Sequence, residues 1–267
     1  MPSGQEDLMY RLENVIFHIK ARCVLDSISF NIKKGEKVVI LGVNGAGKTT
    51  LLRIMDGLIF PSAGKVIFEN RELTEKSLKD KEFKRYFRSK VSLMFQDVDA
   101  MFFNPTVYDD IAFSLRQRKV PEGEVRERVA QLTEVLSIGD ILDRAPYDLS
   151  GGEKKKVAFA CCVIHNPDVL LLDEPTAFLD PDSVAVIVEF LQDYPGTVIT
   201  ATHNLSIALE LGERFLILSK EHKLVFDGSI KSVSECVDVL REAGLVHRHR
   251  HRHGGLLHEH LHLHDWD

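Results

Sequence analysis

Short apolar runs alternate with helical stripes through the middle of this chain. The runs fall near residues 37–41, 91–95, 168–173, 197–201 and 214–219. Brief apolar stretches of this kind, bounded by turn residues, predict buried strands. Amphipathic segments lie between them, so the central strands are expected to be largely parallel. Residues 8–35 and 64–70 read instead as an antiparallel β patch. VYDDIAFSLRQR and EVRERVAQLTEVLSI space their apolar residues helically and predict a helical insertion over about residues 104–160. RELTEKSLKDKEFKRYFRSK, residues 71–90, is so charged that it reads as a solvated helical face. One more helix is expected near 230–243. Beyond it, Gly244, a His/Arg run and Gly254-Gly255 predict loss of packed structure.

Composition narrows the class. With 267 residues, 44% of them apolar, the chain can bury a real core in one large or two small domains. A net charge of −6 gives no general nucleic-acid footprint. The opening MPSGQEDLMYRL lacks the apolar stretch of a signal peptide, and no apolar run approaches the roughly 18 residues of a membrane span. The expectation is a soluble protein able to dock on a membrane partner. The four cysteines form no CxxC pair, and Cys161 beside Cys162 suits a disulfide badly, so reduced, buried thiols are expected.

The stretch KVVILGVNGAGKTTLLRIMDGL reads as strand, loop and helix. Lys37–Leu41 is rich in β-branched residues, and Leu51, Leu52, Met55 and Leu58 recur at helical spacing. Gly42, Gly47, Lys48 and Thr49 match GxxxxGK[ST]. Glycines let backbone N–H groups converge on phosphate oxygens without a Cβ in the way. The helix beginning near Gly47 adds the positive end of its dipole. Lys48 is expected at the β- and γ-phosphates, and the Thr49 hydroxyl on Mg²⁺.

Further on, DVLLLDEPT ends an apolar run in two acids and a proline. Such a pair is either a solvated turn or, beside a phosphate loop, a metal-holding Asp173 followed by Glu174 placed to polarise a water. LSGGEKKKVAFACC places Ser150 before a helix with Glu153 three positions on, which fits a capping box. A cap does not explain Gly151 and Gly152, which weaken a helix. A second anion site at that helix start would.

GVNGAGKTT, Gln96, LSGGEKKK, VLLLDEP, Asp180 and His203 occur in an order and spacing that resemble the ATP-binding cassette ATPases, over roughly residues 8–230. The resemblance implies an α/β fold: a P-loop nucleotide-binding core with a mainly parallel sheet, an antiparallel β patch and a helical insertion, over residues 1–243. A disordered His-rich tail would occupy 244–267. It implies a Mg-dependent ATPase with ATP bound by Gly42, Asn44, Gly45, Ala46, Gly47, Lys48, Thr49 and Thr50. Thr49, Gln96 and Asp173 would hold Mg²⁺, and Lys48, Glu174 and His203 would be the catalytic groups. It also implies a head-to-tail dimer, with a second identical or different ATPase chain. Ser150, Gly151 and Gly152 of one chain would meet the γ-phosphate held by the other, and Asp180 would organise the seam. Four departures stand out: Glu153 for the usual Gln, Phe178 for a usual Gly, Asn204 for a common Asp, and Ile19 near the place of an adenine-stacking aromatic.

VSLMFQDVDAMFFNPTVYDDIAFSLRQ resembles the corresponding region of energy-coupling-factor ATPases, which implies a groove for an integral membrane transporter subunit. Met101, Phe102 and Phe103 are expected to be partly exposed there, or else ordinary core. That subclass imports nickel, cobalt and vitamins. The tail bears on the choice, because imidazole suits Ni, Co, Zn and Cu. Eight of the twelve histidines lie there: His247, His249, His251, His253, His258, His260, His262 and His264. Alternate histidines on one extended strand stand about 6.6 Å apart, too far for chelation without bending the backbone. A flexible Ni²⁺ or Co²⁺ scavenger, a solvated tail and an expression tag are the three readings. The leading expectation is the ATPase of a nickel or cobalt importer, at the cytoplasmic face of the membrane through its partners. The alternatives are the same engine in a vitamin importer, a soluble cassette acting on nucleic acid or ribosomes, and a metal-storage protein with a vestigial ATPase.

Overall fold

The computed structural model describes residues 8–230, 237–253 and 256–263, with side chains over 8–230 and 237–246. The chain divides into two units, residues 1–80 with 201–267, and residues 81–200.

The first unit holds the antiparallel patch. Strands β1 (Leu8–Ile19), β2 (Arg22–Lys33), β4 (Ala63–Phe68) and β5 (Arg71–Glu72) form one sheet in the order β2-β1-β4-β5. In β2 the buried Ile28, Phe30 and Ile32 alternate with exposed neighbours, the signature of a sheet wet on one face. Strand β3 (Lys37–Leu41) runs parallel to β9 (Arg214–Leu218), which pairs antiparallel with β10 (Leu224–Ser229). Helix α1 (Lys48–Met55) follows β3. Met55 is its last residue, so Leu58, expected on the same stripe, lies beyond its end and is exposed. The buried Tyr10 hydroxyl donates to the Met55 carbonyl at 3.0 Å, and its ring meets Phe68 edge-on. That bond satisfies one of the carbonyls a helix end leaves open, and it fixes α1 to the patch.

The second unit opens with α2 (Lys81–Lys90), then β6 (Val91–Met94), parallel to β7 (Val169–Asp173). All five residues of β7 are buried, which explains its unbroken apolar run. Helices α3 (Val107–Gln117) and α4 (Glu122–Val135) follow the stripes expected of them, and α5 (Gly151–Val163) and α6 (Pro181–Asp193) complete the helices of this unit. Strand β8 (Thr197–Thr202) is buried throughout, and its last two residues belong to the first unit. Helix α7 (Leu205–Leu211) lies in the first unit, as does α8 (Val237–Glu242), shorter among the described residues than the 230–243 expected. The charged segment 71–90 is more than a solvated face, because α2 buries Phe83 and Phe87. The architecture is α/β, with mainly parallel strand pairs, an antiparallel patch and a helical segment.

Past residue 243 the expectation of a disordered tail meets a paired backbone. Leu245 and Val246 are buried, and β11 (Val246–His253) pairs antiparallel with β12 (Leu256–Leu263). Alternation of His with Arg or Leu is also the period of a strand. His264 lies outside the described residues. Among those residues Cys23, Cys161 and Cys162 form no disulfide; Cys162 is buried and the other two are half-buried.

Within the second unit His165 is packed with no hydrogen-bond partner for either ring nitrogen. Burial first, then the charge of Arg118, pulls its pKa down to about 4. The unfolded chain, with an ordinary pKa near 6.5, takes up a proton that the folded one refuses. Stability is therefore expected to fall as pH drops from about 6.5 to 4, by roughly 2–3 kcal/mol in all, and to flatten below. Denaturant midpoints across that window should lose this slope in His165→Leu.

Candidate functional site

In the first unit the sequence builds a helix start stripped of its own anions. Gly47 is the N-cap of α1 and offers no side-chain cap, and the first turn carries no acid. The helix dipole and the first-turn N–H groups are thus left to an external anion. The glycines at two positions are steric requirements. Gly47 has φ 109°, and a Cβ there would stand 2.6 Å from the Val24 carbonyl oxygen. A Cβ on Gly42 would stand 2.9 Å from that of Leu218. Asn44 and Gly45 are exposed, Thr49 and Thr50 half-buried, and Ala46 buried. Lys48 is buried, and its Nζ donates to the Gly42 carbonyl at 2.7 Å and to that of Val43 at 3.4 Å. The cation is held over the loop whose N–H groups would face phosphate. Open space at Gly45, a lysine and two hydroxyls at an uncapped helix start fit a polyphosphate with its divalent ion.

Beyond the loop, His222 brings Nδ1 to 3.4 Å from the Ala46 carbonyl, a contact that the sequence did not suggest. Half-buried His203 follows β8, and Asn204 caps α7 by accepting from the Ile207 N–H at 3.2 Å. Asn and Asp cap equally well, which accounts for the departure at that position. Ile19, at the expected adenine position, is 54% exposed.

In the second unit β7 carries Asp173 to its end, 3% exposed, and Glu174 follows at 5%. Glu174 sits at φ 49°, in the left-handed region, which turns it away from the strand's direction. Such strain in a non-glycine residue is concentrated at functional sites. Lys155 of α5 is buried, and its Nζ donates to the Gln96 carbonyl at 3.2 Å. Burial pulls its pKa below the usual lysine range, while the charges of Asp173, Glu174 and Asp97 act to raise it. One position earlier, Lys154 pairs with Asp99 at 2.8 Å. The lysine run after LSGGE thus pins residues 96–99 and compensates the acidic pair. Neither lysine was singled out from sequence, although the run itself was the signal.

Ser150 caps α5 as expected. The Ser150 N–H donates to Glu153 at 2.7 Å, and the Glu153 N–H donates back to the serine hydroxyl at 3.3 Å. These bonds, with Arg144 nearby, hold the Glu153 carboxyl below its usual range. A Cβ on Gly151 would meet nothing within 4 Å, and one on Gly152 only ordinary contacts, so local packing does not demand either glycine. Asp180 caps α6, accepting from the Ser183 N–H and hydroxyl, and those bonds depress its pKa. Phe178 is 88% exposed at φ 67°, a conformation that glycine adopts more easily. Gln96 is exposed. Of the expected apolar trio only Phe103 is exposed, edge-on to Phe113 at 4.6 Å between ring centres, while Met101 and Phe102 are half-buried. Buried Asp110 fixes this loop by accepting from the Phe103 and Asn104 N–H groups and the Asn104 amide.

A family model for the ABC transporter matches residues 25–177. An ABC transporter ATP-binding protein of Methanosarcina acetivorans is 41% identical over 253 residues, 92% of each chain. A nickel import ATP-binding protein of Rhodobacter capsulatus is 36% identical over 247 residues, 90% of this chain and 94% of that one. Among solved structures, CbiO1 of Clostridium perfringens, part of the ABC transporter complex CbiONQ, shares the fold with a TM-score of 0.73 at 33% identity. It covers 90% of this chain and 96% of that one. The chain belongs to the family of ABC transporter ATPases.

Removing the buried cation tests the second unit. Lys155→Met is expected to lower the unfolding free energy by about 2–3 kcal/mol, since it strands a carbonyl and uncompensates two acids. Lys155→Arg should recover most of that loss in the same denaturation experiment.

Proposed function

We propose that this chain hydrolyses MgATP to power import of nickel or cobalt through integral membrane partners, in the energy-coupling-factor manner. The observation that carries the reading is the likeness, over 90% of this chain, to a nickel import ATP-binding protein. Residues 1–243 act as the cassette and 244–267 as a metal-handling tail.

In this reading Lys48 and the N–H groups of the 42–50 loop neutralise the phosphates. Thr49, Gln96 and Asp173 would hold Mg²⁺, which would screen phosphate charge. Glu174 accepts the proton of the attacking water, and His203 contacts the γ-phosphate. ABC cassettes form dimers, so Ser150, Gly151 and Gly152 serve the site of a second cassette, and Asp180 orders the seam. The glycines that local packing does not require support that role. Phe103 and Phe113 offer an apolar edge to a transmembrane subunit. In this reading those partners attach the chain to the cytoplasmic face of the membrane; no helix among the described residues is long and apolar enough to cross it.

Glu174→Gln is expected to cut steady-state ATP hydrolysis by about 100-fold or more while ATP binding survives. Retained turnover removes Glu174 from its role. Uptake of radiolabelled Ni²⁺ and Co²⁺ by source cells with and without the gene then names the cargo. Loss of one ion's uptake supports the reading. Unchanged uptake of both favours a vitamin importer with the same engine.

A further inference from the structure

The register of the C-terminal hairpin changes what its histidines can do. β11 and β12 pair His247 with His262, His249 with His260 and His251 with His258. The three pairs are successive alternate positions of one ladder, so they fall on the same face. The intervening positions pair Arg248 with Leu261, Arg250 with Glu259 and Arg252 with Leu257. The three arginines, which would repel a cation, are thus assigned to the opposite face.

Distance then decides the chemistry. Neighbours along one strand are about 6.6 Å apart, which two imidazoles bonded to one ion at about 2 Å each span only by leaning toward each other along the strand. Residues directly opposite in an antiparallel pair have Cβ atoms only about 4.5–5.5 Å apart. Two histidines at such positions can share an ion with no bend in the backbone. An isolated two-stranded hairpin is marginal in water, so an ion clamped across it would also hold it together.

We propose that the hairpin of residues 246–263 is a ladder of three cross-strand histidine pairs that binds a borderline divalent transition-metal ion such as Ni²⁺. The site is separate from the ATPase and rests on the reading of residues 244–267 as a metal-handling tail; it is measured by direct binding, so its failure leaves the ATPase reading standing.

The experiment titrates the full chain with Ni²⁺ by calorimetry, beside a variant of identical composition with the second-strand histidines moved by one position. That variant carries Leu257→His, His258→Leu, Glu259→His, His260→Glu, Leu261→His and His262→Leu. A flexible scavenger would bind equally well in both. The ladder predicts that affinity falls ~10-fold or more in the variant, because each pair is split between the two faces. It also predicts that Ni²⁺ protects the bonds after Arg248, Arg250 and Arg252 from trypsin in the parent chain only. Equal affinity, or no binding by the parent chain, overturns the proposal.

Discussion

A helix that is to hold a polyphosphate must keep anions of its own away from its first turn. That constraint governs the first unit. α1 begins at a glycine with no side-chain cap and no acid, the reverse of α3, α5 and α6, which are capped by Thr106, Ser150 and Asp180. The glycine start costs α1 stability, typically a few tenths of a kcal/mol relative to a side-chain cap. The Tyr10 bond to its last carbonyl and the burial of Leu51, Leu52 and Met55 hold the helix in place instead. The same constraint explains why β2 and β9 press on the loop at Gly47 and Gly42: the backbone is brought in where side chains would block phosphate.

The second unit faces the opposite problem. Two adjacent carboxylates are buried at the end of β7, and burial of charge requires compensation. The structure supplies a cation from α5, the helix that begins with the serine–glycine motif. Lys155 also ties down the Gln96 carbonyl, and Lys154 holds Asp99 nearby. One helix therefore carries the motif that the proposed function offers to a second cassette, the balancing charge for the acids and the anchor of the glutamine loop. Substitutions in this lysine run act on all three, and a surface reading of KKK as solvated charge misses that.

The departures from the family pattern divide by cause. Asn204 and Glu153 are replacements in kind, each making the cap hydrogen bond that its position calls for. Phe178 is different: it occupies a left-handed backbone site and leaves a large ring exposed beside Asp180. In the reading proposed here that ring faces the seam with a second cassette, where an exposed aromatic has a partner to cover it.

Sequence alone determined the strand and helix types, the glycine-rich loop, the acidic pair, the serine cap and the family. Each rests on a local pattern: a short apolar run, a helical stripe, or a fixed spacing of glycine, lysine and acid. Tertiary structure decided what depends on contacts distant in the chain. Lys155 reads as one lysine of three until α5 packs and buries it. Leu58 continues the α1 stripe in sequence, yet the helix ends at Met55, and of three adjacent apolar residues Met101 and Phe102 are half-buried while Phe103 is exposed. The tail shows the same limit most plainly. Its alternation assigns the histidines of each strand to one face, because the side-chain period of a strand is two. Which histidine stands opposite which is a matter of register, and register exists only once two strands pair.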